Sequence, residues 1–354
     1  MLDPGNDILA GYALNANSTL RCLARSCMRR PWHYTAIVQY PHHRPMLALA
    51  LRAVASFLIA TLFMLAKLAG RRDVALPEIL FWLQFVSLPL MLSWFAARRK
   101  LRSLATRQIG GHFLRGLVGM TSVALSFAAA RMLPLSEFTA LTFTAPLFAV
   151  LITAFVLREH VGPWRWGAVA CGFAGIIVIA RPGSAVIPVS GGICALLAAL
   201  TSAVISFQIR HLGRTDNPVR AVFWYAFFGS LMTVGFLPFF AHRHDAGTWA
   251  LLLAIGIVGA LVQLLLAASL RHGAVASVIV MDSTLLLWAT LYGWAVWGEL
   301  PPPTLWLGAP MVVMAGLVIA WSEHRLARAA SANVPGKDAS NRLAPAERPR
   351  SQTA

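Results

Sequence analysis

The sequence predicts an all-α integral membrane protein with ten transmembrane helices, arranged as two inverted five-helix repeats. Three observations support this prediction. The chain is 58% hydrophobic and only 12% charged. Its apolar residues fall into ten segments of membrane-spanning length. A series of residues near the end of the first half returns in the same order near the end of the second half.

The composition excludes an ordinary soluble domain, which carries about 25% charged residues. Side chains that face lipid need no polar cover. The net charge of +17 does not indicate nucleic-acid binding, because the basic residues lie between apolar segments and in the two tails rather than along one face. The four cysteines form no CxxC pair, so we predict no disulfide framework and no metal site.

The two ends of the chain differ from the rest. Residues 1–45 are polar and irregular, and we interpret them as a cytoplasmic tail, with an over-extended start before Met46 as the alternative. Residues 322–354 are rich in Pro, Ala, Ser and Arg and have no apolar period. This pattern predicts a disordered basic cytoplasmic tail.

Ten apolar segments lie between the tails, each near the ~20 residues that cross ~30 Å of hydrocarbon. They are residues 46–68, 79–97, 112–131, 134–157, 165–181, 190–210, 221–240, 248–270, 274–297 and 304–321. The segments are apolar on nearly every face, as membrane spans are, and the alternation of a β-strand is absent. Because the connections are short, we expect successive helices to be antiparallel neighbours.

The distribution of basic residues predicts the orientation. With both termini in the cytoplasm, 24 of the 30 Lys and Arg residues lie on the cytoplasmic side and six on the other. This is the bias of the positive-inside rule. We therefore expect a multi-pass protein of a bacterial-type inner membrane with both termini inside.

The two halves, residues 46–182 and 190–321, carry matching residues near their ends. The matched pairs are Glu159 with Glu299, Trp166 with Trp306, Gly167 with Gly308, and Ala174-Gly175 with Ala315-Gly316. Each half has five predicted spans, an odd number, so the second half faces the opposite way. Many secondary transporters are built from such inverted repeats, whose central site opens to each side of the membrane in turn.

At these residues the chain resembles the EamA-type transporters of the drug/metabolite transporter superfamily. The first-half motifs are Leu133-Pro134-Leu135-Ser136-Glu137, Thr144-Ala145-Pro146-Leu147-Phe148, Glu159 and Gly172-Phe173-Ala174-Gly175. The second-half motifs are Gly273-Ala274-Val275-Ala276-Ser277, Leu291-Tyr292-Gly293-Trp294, Gly298-Glu299-Leu300-Pro301 and Gly308. The resemblance implies a ten-helix bundle of two EamA repeats, a substrate cavity between them, and movement of metabolites or drugs, often outward.

Asp282 is the first candidate for a functional residue, since an ionisable side chain inside a membrane helix is functional by default. It lies about eight residues, or ~12 Å, into the ninth predicted span, among apolar neighbours. Such surroundings favour a neutral carboxyl group, so Asp282 could bind and release a proton during transport. The alternative is a carboxylate that caps another helix or pairs with a buried cation.

Glu137 and Lys67 are candidates near the outer face. Glu137 opens the fourth span and could bind a cationic group of the solute, or could stabilise the helix N-terminus at the water interface. Lys67 ends the first span and could extend its ammonium group to water. Alternatively, Lys67, Glu78, Arg131 and Glu137 could form an ion-paired cluster that gates a pathway.

Neutral side chains within the spans complete the set of candidates. Gln84 and Gln263 could line the cavity or bridge helices, as buried amides do in membranes. Trp288 and Tyr292 offer flat surfaces to a heterocyclic solute, with packing and lipid contact as the alternative. Glu299 is interpreted as a structural residue that fixes the turn into the last span.

The predicted function is transport of a small solute by alternating access, with export as the favoured direction. An intramembrane enzyme would need a paired constellation such as His with Asp, and we expect no histidine in the helical core. A non-transporting scaffold or channel is the other alternative. The predicted partners are a small-molecule solute and membrane lipid, with no nucleic acid and no cofactor; a homodimer is left open.

Overall fold

The computed structural model describes residues 45–97, 99, 104–106, 108–180, 188–212, 218–240, 242–272 and 281–332. The predicted N-terminal tail up to residue 44 and the predicted tail from residue 333 onward lie outside these ranges. The predicted start of the ninth span at residue 274 also lies outside them.

The described residues form helices and connecting turns, and no described residue lies in a β-strand. The helices are α1 (Pro45–Arg71), α2 (Leu76–Phe85), α3 (Ser87–Ala97), α4 (Ile109–Met132), α5 (Leu135–Thr142), α6 (Ala145–Leu151), α7 (Pro163–Ala180), α8 (Val189–Leu212), α9 (Pro218–Val234), α10 (Leu237–Phe240), α11 (Ala246–His272), α12 (Thr284–Trp297) and α13 (Pro303–Ala332), with a π-helical segment (Ile152–Val156) after α6.

Eight helical stretches in the described part are long and apolar enough to cross a membrane, which confirms an all-α membrane protein. They correspond to the predicted spans one to six, eight and ten. The predicted seventh span corresponds to α9 with α10, and the ninth to the shorter apolar helix α12. The last helix, α13, continues to Ala332, past the predicted end of its span at residue 321.

Three of the spans are interrupted, and a proline explains each interruption. A proline inside a helix removes one backbone hydrogen bond, and its ring clashes with the carbonyl group four residues earlier. Helix α2 ends four residues before Pro89, α5 four residues before Pro146, and α9 four residues before Pro238. Near the second break the Thr144 hydroxyl donates to the carbonyl oxygen of Leu141 at 2.7 Å, so a side chain replaces part of the missing ladder, as a helix in lipid requires.

The helices of one half pack on helices of the other half in a repeated pattern. Helix α11 packs along α1, and α4 packs along α8. Helix α12 packs on α1, and α5 with α6 packs on α8. Helix α9 packs on α4, α11 packs on α2, and α2 packs on α9. The largest buried side chains include Phe127, Phe138, Leu141 and Leu252.

One sequence prediction about the helical core is wrong. His112 lies in the first turns of α4 with only 1% of its surface exposed, and its ring stacks on that of Trp224 with 6.4 Å between centroids. The predicted third span begins at this residue, whereas the helix begins three residues earlier, at Ile109, and so includes His112.

Candidate functional site

A cavity of about 150 Å³ lies among α1, α2, α3, α4, α9 and α11. It is lined by residues of both halves of the chain: Ile59, Leu62, Phe63, Leu83, Gln84, Ser87, Val123, Ser126, Phe127, Tyr225, Gly259, Val262 and Gln263. Among these described residues, none carries a formal charge. The cavity therefore offers apolar and aromatic surfaces together with amides and hydroxyl groups.

Two glutamines supply the amides of the cavity, Gln84 from α2 and Gln263 from α11. Gln84 is 3% exposed, and its Nε2 donates to Sδ of Met120 at 3.1 Å. Gln263 is half-buried at the cavity wall. Its amide offers two N–H donors and one carbonyl acceptor, so it can bind a polar group of a ligand.

The serines of the cavity and one glycine shape its wall. The Ser87 hydroxyl donates to the Leu83 carbonyl oxygen at 3.0 Å, and the Ser126 hydroxyl donates to the Ser122 carbonyl oxygen at 2.8 Å. Each oxygen keeps lone pairs that can accept a hydrogen bond from a ligand. Gly259 faces the side chain of Leu83 so closely that a Cβ atom there would collide with it.

A second set of contacts joins α1 to residues 281–299, and we call it the polar seam. At the side of the bundle where α1 begins, the near side, Arg52 binds Asp282 with two hydrogen bonds of 2.5 and 2.7 Å. The adjacent Ser56 hydroxyl donates to the Met281 carbonyl oxygen at 3.3 Å. Asp282 therefore pairs with a cation, which is the alternative that the sequence had left open.

The middle of the polar seam is aromatic and hydroxylic. The hydroxyl groups of Thr61 and Tyr292 lie 2.8 Å apart. The ring of Phe57 packs edge-on against Trp288 with centroids 5.0 Å apart. Both predicted aromatic candidates are thus in contact with α1, outside the lining of the cavity.

At the far side, where α1 ends, Lys67 is the central residue of the polar seam. Its ammonium group lies 2.9 and 3.0 Å from the two carboxylate oxygens of Glu299 and donates to the Leu133 carbonyl oxygen at 3.1 Å. It also lies 4.9 Å from the ring centroid of Trp297. Lys67 is 5% exposed and Glu299 25%, so this ion pair is largely shielded from water.

Gly298 explains how Glu299 reaches Lys67. It has a left-handed backbone conformation, with φ of 67°, which closes the C-terminus of α12. The amide of Glu299 then donates to the Gly293 carbonyl oxygen at 3.0 Å. The turn directs the Glu299 carboxylate back towards α1.

The predicted cluster of Lys67, Glu78, Arg131 and Glu137 takes a different form. Lys67 pairs with Glu299, whereas the buried Glu78 lies 3.0 Å from Nε2 of His244. Glu137 lies in the first turn of α5, where the helix dipole favours a carboxylate, and it is only 2% exposed.

Sequence reasoning missed two residues at these positions, Arg52 and His244. The sequence predicts Arg52 only as a basic residue near the cytoplasmic end of the first span, and His244 only as a loop residue. Asp282 follows Arg52 by 230 residues, and Glu78 precedes His244 by 166 residues. The sequence signal for this ion pair is that Arg52 and Asp282 have opposite charges and lie in two predicted spans that cross the membrane in the same direction. A charged side chain in a membrane span needs such a partner.

Comparison with known proteins gives the family and the fold. The model of the EamA-like transporter family matches residues 46–181 and again residues 189–321. The chain is 31% identical to the riboflavin transporter of Vibrio cholerae over 238 residues, which cover 64% of this chain and 76% of that protein. It is 24% identical to the pseudopaline exporter of Pseudomonas aeruginosa over 270 residues, 76% of this chain and 94% of that protein.

A solved crystal structure of another protein has the same fold. It matches with a TM-score of 0.54 and 19% sequence identity, over 78% of this chain and 99% of that one. At this identity the likeness concerns the fold alone.

Proposed function

The chain belongs to the EamA-like transporter family, and from this premise we propose that it carries an uncharged, flat heterocyclic solute of the riboflavin class through the cavity between its halves. It is a membrane transporter of a small solute and not an enzyme, as its family and its relatives are. The observation that carries the substrate proposal is the chemistry of the cavity, which joins two amides and three hydroxyl groups to apolar walls without a formal charge.

The amides suit the edge of a heterocycle that carries alternating donors and acceptors. A glutamine side chain offers two N–H donors and one carbonyl acceptor, which pair with ring carbonyl and N–H groups. The rings of Phe63, Phe127 and Tyr225 supply flat surfaces for stacking. A solute with a permanent charge would lose its hydration without gaining a partner of opposite charge in this lining.

The size of the cavity indicates that the structure is a contracted state of the transporter. Sites for drug-sized ligands occupy roughly 300–1,000 Å³, whereas this cavity measures about 150 Å³. The helices around it must therefore separate to admit a heterocycle. Alternating access by rocking of the two halves provides that separation.

We propose that the ten predicted spans form two inverted five-helix repeats, and the helix packing supports this. If each span is replaced by the span five positions away along the chain, every packing pair described above becomes one of the described pairs. Helix α11 on α1 becomes α4 on α8, and α12 on α1 becomes α5 with α6 on α8. The pair of α2 and α9 becomes itself, as it should if it lies on the pseudo-two-fold axis.

The direction of α12 supports the number of spans. Arg52, Thr61 and Lys67 of α1 contact partners that follow one another in the same order along residues 282–299, so the two segments are parallel. Two membrane helices are parallel only if an odd number of crossings separates them. Seven lie between them when α9 with α10 counts as one crossing, which gives ten spans in all.

We further propose that the near side is cytoplasmic and that the solute moves outward. The 24 basic residues on the near side support the orientation, and the relative named as a pseudopaline exporter supports the direction. The proton-coupling role of Asp282 also stays a prediction. Asp282→Asn with an unchanged pH dependence of transport would refute it.

Transport by purified protein in liposomes tests the substrate proposal. Riboflavin is fluorescent, so its entry into empty proteoliposomes and its exit from proteoliposomes loaded with it can be followed directly. Gln84→Leu and Gln263→Leu are expected to reduce the rate at least about tenfold, because each removes a hydrogen-bonding group of the site. Gln208→Leu is the matched control, since Gln208 lies in α8 outside the cavity lining.

The outcomes separate the claims. Transport of riboflavin that neither cavity variant changes would reject the cavity as the binding site. Absence of riboflavin transport, with transport of a charged solute by the same preparation, would reject the solute class. Comparison of inside-out with right-side-out membrane vesicles tests the direction.

A further inference from the structure

We propose that the two ion pairs of the polar seam are the two gates of the transport pathway, and that each controls access from one side of the membrane. The near gate is Arg52 with Asp282, and the far gate is Lys67 with Glu299. The inference rests on alternating access in the proposed function, but it assigns residues and a role that do not depend on which solute is carried.

The positions of the gates fit opposite sides of one membrane. Both ion pairs join the same two segments of chain, and 15 residues of α1 separate Arg52 from Lys67. At ~1.5 Å per residue this is about 22 Å along the helix, most of the ~30 Å thickness of the hydrocarbon. The cavity lies between these two levels, because Ile59, Leu62 and Phe63 of α1 line it.

Each gate also links the two halves of the chain. Arg52 and Lys67 belong to the first half, and Asp282 and Glu299 to the second. When the halves rock against each other, one end of the seam must widen while the other stays closed. An ion pair at 2.5–2.9 Å is broken by a separation of a few ångströms, so it responds to the motion that alternating access requires.

The far gate has additional contacts that hold it shut. The ammonium group of Lys67 binds the Leu133 carbonyl oxygen, which precedes the fourth span. Arg71 lies 3.8 Å from the Glu299 carboxylate and 5.5 Å from the ring centroid of Trp297. Opening the far side therefore separates three segments of the chain that meet at this gate: the end of the first span, the start of the fourth and the end of the ninth.

Both gates are closed in this structure, and the cavity between them is contracted. In the proposed cycle, this combination corresponds to an occluded state. Loss of the far gate should favour the state that is open to the far side, and loss of the near gate should favour the opposite state, because each variant removes a contact made only when its own side is closed.

Labelling of a cysteine in the cavity tests this directly. Ser126→Cys, in a chain whose four native cysteines are replaced by serine, places a thiol in the cavity lining. A membrane-impermeant maleimide is applied to inside-out or to right-side-out vesicles. Glu299→Gln is expected to raise the labelling rate from the far side about tenfold, and Asp282→Asn to raise it from the near side by a similar factor.

Glu159→Gln is the matched control, because Glu159 follows the fourth span as Glu299 follows the ninth and is exposed. Its labelling should equal that of the parent chain from both sides. The charge exchange Arg52→Asp with Asp282→Arg should return near-side labelling towards the parent rate, which shows that the ion pair and not either residue alone closes the gate. Thermal unfolding of each purified variant confirms that it is folded.

The proposal is overturned if Glu299→Gln and Asp282→Asn expose residue 126 to the same side, or if neither changes its labelling. Labelling needs no solute, so these outcomes are independent of the transport assay. If the gates respond as expected while riboflavin is not transported, only the substrate proposal fails.

Discussion

Where α7 crosses α13, replacing a glycine of α7 by alanine is expected to lower the stability of the protein at one position and to raise it at another. A Cβ atom on Gly175 would lie 2.8 Å from the carbonyl oxygen of Gly308, and a Cβ atom on Gly308 would lie 2.7 Å from the carbonyl oxygen of Gly175. The two backbones therefore touch. Gly167 in the same helix α7 has no atom within 4 Å of its virtual Cβ.

The magnitude follows from the distances. Ordinary contact begins at 3.4 Å, so Gly175→Ala must move the helices apart by about 0.6 Å, and a backbone oxygen cannot rotate away as a side chain does. Overpacking of this kind costs up to about 3 kcal/mol, and alanine returns about 1 kcal/mol of helix propensity. We expect Gly175→Ala to lower the free energy of unfolding by about 2 kcal/mol, and Gly167→Ala to raise it by up to about 1 kcal/mol.

Reversible unfolding in mixed detergent micelles, followed by circular dichroism, measures both values. Gly308→Ala should resemble Gly175→Ala. The double variant of Gly175 and Gly308 should cost less than the sum of the single variants, because the helices separate only once. Equal stability of Gly175→Ala and Gly167→Ala would refute the close approach of the two backbones.

Three further predictions address the far gate, the cavity wall and a helix terminus. Glu299→Ala should lower the free energy of unfolding by about 3 kcal/mol because it leaves the buried Lys67 without its carboxylate, whereas Lys67→Met should cost about 1 kcal/mol because Glu299 can reach water; the reverse ranking in the same unfolding assay would contradict this. Gly259→Ala should turn the flexible Leu83 side chain into the cavity and weaken riboflavin binding in calorimetry at unchanged stability; unchanged binding would argue against that wall. Asp245 accepts hydrogen bonds from the Thr248 hydroxyl and the Gly247 amide at the start of α11, which lowers the pKa of its carboxyl group below the ordinary 3.8; the stabilisation is therefore present above pH 3.8 and lost in stronger acid, so the difference in Tm between Asp245→Ala and the parent should shrink there, and a constant difference would exclude the cap.

Much of the fold was accessible from the sequence because lipid imposes simple rules. Apolar length locates the spans, and the positions of Pro89, Pro146 and Pro238 contain the information for the three interruptions. The sequence prediction drew these spans as continuous. A proline breaks a membrane helix only where neighbouring groups satisfy the freed carbonyl oxygens, and those neighbours are known only after packing.

The candidate site was accessible in part. Gln84 and Gln263 were predicted to face the cavity or to bridge helices, and the structure places both in the cavity lining. The partners of Asp282 and Lys67 were not predicted, because ion pairing depends on which helices become neighbours. A sequence shows that a buried charge needs a partner, but the partners here are 230 and 232 residues away.

The lack of formal charge in the cavity lining has an electrical consequence. A potential of 100 mV does about 2.3 kcal/mol of work on each elementary charge that crosses the whole membrane, and none on a neutral molecule. A heterocycle carried in this cavity would cross without direct help from the resting voltage. The voltage acts instead on charged side chains, among them the two ion pairs of the polar seam, which lie 15 residues of α1 apart.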